Sequence, residues 1–356
     1  MANATVYFAT NRKPNDPDNP TDFTTDPVGV NDLIRFGQAS FTDDDLAPEN
    51  DAESDAVLSA LGTTAQIVVA QEAISPQDGS QTAIAGKPPF AQLLASTGAK
   101  QADALVCIHG YDYTFRESVA RAAQLQNWYA QGPYGKPLLV ILLAWPSLGQ
   151  PISTATYTEE RQRSRIAGPA MGRALMETVA RVKGAVGVER VHLLAHSMGN
   201  WALRWAVQSM EEYEGGNIPP LFEQILLAAA DEDSDALSQH DKLQPVLNAG
   251  RRITVYCNMY DWALTASDWI EGNPPRLGAG GPDNLQALPP GKVTAISVAA
   301  AADPIADSEQ HQYYRSNDFV RRDLMQVIAG VGDSDIAGRS RLQYHGLYVL
   351  TGGPGA

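Results

Sequence analysis

Ser197 stands where an apolar strand-like run meets a helix with almost no loop between them, in "VERVHLLAHSMGNWALRWAVQSM" from Val188 to Met210. The connection is Ala195-His196-Ser197-Met198-Gly199. A turn this tight needs small residues on both sides of its apex, because larger side chains collide with the adjoining strand and helix. Such an elbow lifts a serine hydroxyl clear of its own backbone. It also places the hydroxyl at a helix N-terminus, where free amides favour negative charge. The residue types are those of a Gly-x-Ser-x-Gly nucleophile turn with Ala195 in the first small position, and the chemistry is acyl transfer.

A serine hydroxyl needs a base, and the base needs a carboxylate. On a sheet with such an elbow the chain order is serine, acid, histidine, with the histidine beyond the last strand. His311 fits, following the apolar run Val293–Val298 and preceding a helical pattern. His345, in "LQYHGLYVL", is its rival, although it reads more simply as a packed strand residue. His240 reads as solvated on a polar helix face, His192 as part of a buried strand, and His196 as packed beneath the elbow. Asp261, at the end of the strand in "YCNMYDWAL", is the expected acid, and Asp268 is the alternative. Asp231, Asp233 and Asp235 follow the preceding strand, and a surface role is expected for them and for Asp268. The backbone amides of Met198 and Tyr111 are the expected oxyanion donors, with Gly110 in "VCIHGYDYTF" allowing the sharp turn that presents Tyr111. His109 is expected to brace that loop. Tyr111, Tyr113 and Trp262 are candidate substrate contacts, although both tyrosines also suit an ordinary surface. Trp145, Trp201, Trp205, Trp262 and Trp269 either shape an apolar pocket or pack helices onto the sheet.

These residues need one rigid frame. Apolar strand patterns occur at Val6–Thr10, Ile34–Phe41, Gln66–Ala70, Leu105–Ile108, Leu138–Ala144, Val191–Leu194, Gln224–Ala229, Ile253–Cys257 and Val293–Val298. Helical patterns fall at Phe115–Ala130, Arg161–Val182, Asn200–Glu214, Ser234–Asn248 and Asp318–Ile328. Continuous apolar strands alternating with amphipathic helices predict an α/β class: a mostly parallel central sheet with helices on both faces. The N-terminal third adds short, partly antiparallel strands at one edge. A single domain over residues 1–356 is the simplest organisation, with polar and acidic loops within 11–60. The Gly- and Pro-rich segment 273–291 is a candidate rim or lid.

The chain has 356 residues and a formal charge of −15. A surface of that sign repels phosphate backbones and anionic lipid, so the expected partner is a small-molecule ester, not nucleic acid or membrane. No apolar run reaches membrane-spanning length, and the N-terminus lacks a secretory pattern, so a cytoplasmic location is expected. The two cysteines, Cys107 and Cys257, lie in apolar strand runs and read as buried hydrophobes. No metal or organic cofactor is expected.

An ordered set of segments resembles an α/β-hydrolase family catalogued as domain of unknown function 900 (DUF900). The segments are "VYFATNR", "RFGQASF", "VCIHGYDYTF", "LLAWPS", "VHLLAHSMGN", "VYCNMYDWAL", "PPRLG" and "HQYYRSNDFVRRDL". The resemblance implies the hydrolase fold, with Ser197 as nucleophile, Asp261 as acid and His311 as base. The expected activity is cleavage of carboxylic esters with short to medium acyl chains through an acyl-enzyme. An amidase, thioesterase, lactonase or acyltransferase would use the same three groups, and a non-catalytic binding module would typically have lost one of them.

Overall fold

The apolar strand runs hydrogen-bond side by side into one sheet in the computed structural model of the chain. The structure describes residues 3–351 except 27–28, 30–31, 43–44, 47–54, 96–102, 131–137, 187, 272–274, 303–306 and 343–345. The N-terminal elements are β1 (Asn3–Thr10), β2 (Ile34–Thr42), α1 (Asp55–Thr64), β3 (Gln66–Ile74), β4 (Gln81–Ala83) and α2 (Phe90–Ala95). The alternating middle runs through β5 (Asp103–Ile108), α3 (Phe115–Ala130), β6 (Leu138–Ala144), α4 (Thr154–Val186), β7 (Val191–His196), α5 (Met198–Tyr213) and β8 (Phe222–Ala228). It continues with α6 (Val246–Ala249), β9 (Gly250–Cys257), α7 (Trp262–Glu271), α8 (Leu277–Gly280) and β10 (Val293–Ser297). The chain closes with α9 (Tyr313–Ser316), α10 (Asp318–Ile328), β11 (Arg339–Arg341) and β12 (Leu347–Leu350).

Among the described residues the sheet has twelve strands in the order β11-β12-β10-β9-β8-β7-β5-β6-β1-β2-β3-β4. Pairing is parallel from β1 through β6, β5, β7, β8, β9 and β10 to β12. It is antiparallel at the edges, where β2, β3 and β4 follow β1 and where β11 caps β12. Every residue of β5, β6 and β7 is buried, which is why these strands read as unbroken apolar runs. Their side chains alternate between the two faces. Ala104, Val106 and Ile108 join the core beneath α2, α4 and α5, whereas Leu105 and Cys107 join the core beneath α1, α3 and α10. Each fully buried leucine contributes roughly 1.5–3 kcal/mol. Leu193→Ala on one face or Leu194→Ala on the other would cost about 2–5 kcal/mol.

Parallel register aligns the carboxyl ends of the strands. Ile108 pairs with Ala195, His196 with Ala228, Ala228 with Tyr256, and Cys257 with Ser297. The loops that follow these strands, carrying Tyr111, Ser197, Asp261 and His311, therefore leave the sheet on one rim.

One expectation needs correction. The segment Ser234–Asn248 is not a helix throughout: residues 234–238 and 240–245 form turns, and only α6 is helical. Its amides bond three residues back, as in Ala236 to Asp233, Ser238 to Asp235 and Lys242 to Gln239. Lys242 also holds Asp233 and Asp235 at 2.9 and 2.5 Å, and Pro245 has no amide to continue a ladder. Within 11–60, β2 covers the strand expected at Ile34–Phe41, and α1 is a helix that the sequence patterns did not include. The described part of 273–291 is stitched to the segments that follow β8 and β9 by Leu277 N–H to Glu232 O, Gly278 N–H to Ala230 O and Asn258 N–H to Gly278 O. None of its residues lines the cleft described below. Among the described residues no helix is long and apolar enough to cross a membrane.

Candidate active site

Ser197 connects β7 directly to α5 with φ 52° and ψ −129°. A non-glycine residue in such a conformation costs on the order of 1–3 kcal/mol, so its surroundings must hold it. The Ser197 amide donates to Ala228 O at 3.0 Å, and its carbonyl accepts from the amides of Asp231 and Asn200 at 3.2 and 2.9 Å. The buried Asn200 side chain donates to the carbonyls of Ala195 and Ser197, both at 3.1 Å. Gly199 is required by close approach: a β-carbon there would lie 2.6 Å from His109 O and 2.7 Å from Ile108 O. As the first residue of α5, Met198 has no carbonyl one turn back within the helix to receive its amide.

Asp261 and His311 meet although they are fifty residues apart. The His311 Nδ1–H donates to Asp261 Oδ2 at 2.7 Å, leaving Nε2 as the acceptor nitrogen. The other oxygen, Oδ1, accepts the Leu264 amide at 3.0 Å, so Asp261 also caps α7. Two further bonds clamp the acid loop to the base loop: Asn258 Nδ2 to Gln310 O and Trp262 N to Glu309 O, both 3.0 Å. Burial pushes the His311 imidazole down, but the Asp261 charge and hydrogen bond, with Asp307 and Glu309, together hold it above the ordinary histidine value. Burial of Asp261 outweighs the attraction of His311 and holds its carboxyl above the usual range.

The other titratable candidates fall elsewhere. Asp268 pairs with Arg276 at 3.1 Å. His345 lies outside the described residues. His240 is solvent-exposed as expected, but on a turn, where it pairs with Glu211 at 3.1 Å. His192 is buried near the start of β7, 3.9 Å from Asp103. His196 lies against the elbow: its Nε2–H donates to His311 O at 3.2 Å, and its ring stacks on Tyr314 at 4.3 Å. Burial, reinforced by the His311, Arg315 and Arg121 charges, pushes it well below the ordinary value, so it is neutral. His109 stacks on Trp145 at 5.2 Å and is held down to about 3 by burial and the Arg12 charge. Burial also raises both cysteine thiols, Cys257 to about 12, which leaves them unreactive.

Ser197 and His311 line one cleft of about 790 Å³, together with Tyr111, Tyr113 and Trp262. Gly110 brings the loop after β5 against the elbow, since a β-carbon there would lie 3.0 Å from Ser197 Cβ and 3.1 Å from His196 Nδ1. Residues that sequence reasoning missed fix this loop. Buried Arg12 donates to the carbonyls of Ser147 and Tyr113 at 2.9 and 2.7 Å. Ser147 Oγ accepts the Tyr113 amide at 3.0 Å and donates to Glu160 at 2.7 Å, and Glu160 also accepts the Leu148 amide. Burial lifts the Glu160 carboxyl to about 7. The signal was Arg12 and Ser147 in "ATNR" and "AWPS", polar residues set at the ends of apolar strands.

The opposite wall corrects the surface reading of the aspartates after β8. Asp231 is buried and accepts Tyr157 Oη–H at 2.7 Å and Ser267 Oγ–H at 2.8 Å. Fully buried Arg276 joins Asp231, Asp233 and Asp268 at 3.3, 3.0 and 3.1 Å. The tryptophans divide. Trp145 is wholly buried, and Trp201 and Trp205 lie under the guanidiniums of Arg161 and Arg165. Trp262 and Trp269 instead face solvent on α7, 66% and 83% exposed. Among the described residues no group of three or more His, Cys, Asp or Glu side chains is placed to hold a metal ion.

A search of the curated proteins finds no match. Among solved structures, the chain is similar to the RedJ thioesterase from the prodiginine biosynthetic pathway in Streptomyces coelicolor, at 20% identity over 61% of this chain and 74% of that one, with a TM-score of 0.25. A second structure, RedJ with a PEG molecule bound in the active site, is 17% identical over 71% of this chain and 95% of that one, also with a TM-score of 0.25. The model of the DUF900 family, α/β hydrolases of unknown function, matches residues 90–328, from α2 to the end of α10. With two thirds of its length inside that match, the chain belongs to the DUF900 family of α/β hydrolases.

Proposed function

We propose that this α/β hydrolase is a serine esterase, cleaving small carboxylic esters through an acyl-enzyme. The observation that carries the reading is His311, bonded to Asp261 at 2.7 Å, lining the same cleft as a serine held at φ 52°. In this mechanism His311 Nε2 takes the Ser197 proton as Oγ attacks the acyl carbon. The amides of Met198 and Tyr111 stabilise the oxyanion, each contributing roughly 3 kcal/mol. His311 then protonates the leaving alkoxide. A water molecule, deprotonated by the same imidazole, releases the acid and restores the serine. Asp261 fixes the imidazole tautomer and stabilises the imidazolium.

Support for a small substrate comes from the cleft volume, within the range of ordinary ligand sites, and from walls that mix aromatic faces with hydroxyls. Tyr111, Tyr113 and Trp262 are the proposed substrate contacts, and short to medium acyl chains the proposed range. A fluorophosphonate probe should label the protein at Ser197 and leave Ser197→Ala unlabelled, with hydrolysis of 4-nitrophenyl butyrate lost in parallel. Labelling of the alanine variant would overturn the assignment.

A further inference from the structure

Arg121 lies on α3 and lines the cleft that holds Ser197 and His311, yet it is only 4% exposed. Its Nη1 donates to Gln124 Oε1 at 2.6 Å, and its Nε has no hydrogen-bond partner. Among the described residues no carboxylate pairs with it. Three other buried guanidiniums in this protein are each neutralised, Arg204 by Glu232, Arg276 by Asp231 and Asp233, and Arg339 by Asp323 and Asp333, while buried Arg12 is instead spanned by two backbone carbonyls. A buried charge without a counter-charge is costly, and a protein of net charge −15 does not lack acidic side chains to supply one.

The local acidic group does not serve. Glu117, one turn earlier on α3, also lines the cleft, but its carboxylate accepts the Thr114 amide and hydroxyl at 2.9 and 2.7 Å and the Ser59 hydroxyl. A second guanidinium stands on the same wall: Arg315, buried, with its Nε donating to Gln312 Oε1 at 2.9 Å. Both arginines bear electrostatically on His196, the neighbour of Ser197 in the elbow, so the positive charge lies close to the nucleophile. Tyr113 and Leu58 complete this end with an aromatic and an aliphatic side chain. The opposite end differs, since Asp231 there is already bonded to Tyr157, Ser267 and Arg276.

We infer that the Arg121 end of the cleft is an anion subsite, and that the substrates are esters carrying a carboxylate or similar anionic group on the acyl or the alcohol part. The inference rests on the serine-esterase reading of the cleft and deepens it. The anion would accept hydrogen bonds from the Arg121 guanidinium while the ester carbonyl sits at the Met198 and Tyr111 amides. Its recognition is independent of the bond-breaking step, in which the proton and acyl group move only among Ser197, His311, the ester and water.

Two ester pairs distinguish which part bears the charge. The acyl arm compares mono-4-nitrophenyl adipate with 4-nitrophenyl hexanoate. The alcohol arm compares 4-carboxyphenyl butyrate with 4-carbamoylphenyl butyrate. In one arm the wild-type kcat/KM for the anionic ester should exceed that of its neutral partner by about tenfold or more, the scale of a charge-assisted hydrogen bond. Arg121→Met should collapse that ratio toward one, and Arg121→Lys should retain most of it. Because the readout is a ratio within one protein sample, partial loss of folded enzyme does not disturb it. Wild-type ratios near one in both arms, or a preference unchanged in Arg121→Met, would overturn the anion subsite while leaving the esterase reading intact. If no ester of either pair is turned over and the fluorophosphonate fails to label Ser197, the esterase reading itself falls. In that case an adipate-induced rise in Tm, absent with 1,6-hexanediol and absent in Arg121→Met, still supports the subsite, and its absence in wild type overturns it.

Discussion

Gly110 and Ser197 face each other so closely that a β-carbon on the glycine would stand 3.0 Å from Ser197 Cβ. The contact sets the distance between the loop carrying Tyr111 and the serine elbow. Gly110→Ala should push that loop outward and misplace the Tyr111 amide. The expected result is a fall in kcat of about 10²–10³, the cost of one lost oxyanion donor, with a smaller change in KM. Steady-state kinetics on 4-nitrophenyl butyrate, with circular dichroism to establish the fold, would check this. Unchanged kcat would remove the Tyr111 amide from the mechanism.

The pairing of His311 with Asp261 predicts the pH dependence. In the proposed mechanism His311 must be neutral to accept the serine proton, and its folded-state pKa is raised above 6.5. The ascending limb of log kcat/KM against pH should therefore have its midpoint above 6.5, with activity lost as pH falls through it. Asp261→Asn removes the charge that raises the imidazole and leaves burial to depress it, so the limb should move to lower pH. The same variant should lose about 10⁴ in kcat, because the tautomer is no longer fixed. Asp268→Asn should lose far less, since Asp268 faces Arg276, not His311. The reverse order of the two variants would reassign the acid.

Glu160 links stability to pH. Its carboxyl is buried and raised from 4.5 to about 7. Between those values the unfolded chain has lost the proton while the folded chain still holds it, so stability falls as pH rises. The contribution is on the order of 3 kcal/mol, present below about pH 4.5 and lost by about pH 7. Glu160→Gln keeps an acceptor for Ser147 and Leu148 without the charge. It should therefore flatten the decline in unfolding free energy between pH 5 and 8, measured by urea titration. Glu232, also held near 7 by burial, leaves part of the slope in place. A slope identical to wild type would mean that Glu160 is ionised at no cost.

The rim on which the candidate groups lie was legible because each follows an apolar strand in the chain. Ser197, Asp261 and His311 follow β7, β9 and β10, and a parallel sheet puts those ends on one rim. Local pattern failed where distant charge decided the outcome. Residues 234–248 have helical apolar spacing, yet Asp233 and Asp235 are held by Lys242 and Arg276 in a run of turns. Helix α1 sits at the end of an acidic stretch, where its few apolar residues were easily read as loop, although Leu58 reaches the cleft. In α7 the usual pattern is inverted: Trp262, Ala266 and Trp269 face outward while Ser267 is buried, because the inner face meets Asp231 and Arg276.

Arg276 is the test of that inverted wall. It is fully buried and bridges three carboxylates drawn from β8–α6 and α7, Asp231, Asp233 and Asp268. Arg276→Met fills much of the volume but leaves Asp231 buried without its cation, and breaking a buried pair from one side costs about 3–5 kcal/mol. Arg276→Lys supplies the charge without the planar fork that reaches several acceptors at once, so it should recover only part of the loss. Asp231→Asn combined with Arg276→Met removes both charges, and its unfolding free energy should exceed that of Arg276→Met alone. A double variant no more stable than the single one would show that Arg276 acts through packing instead of through charge.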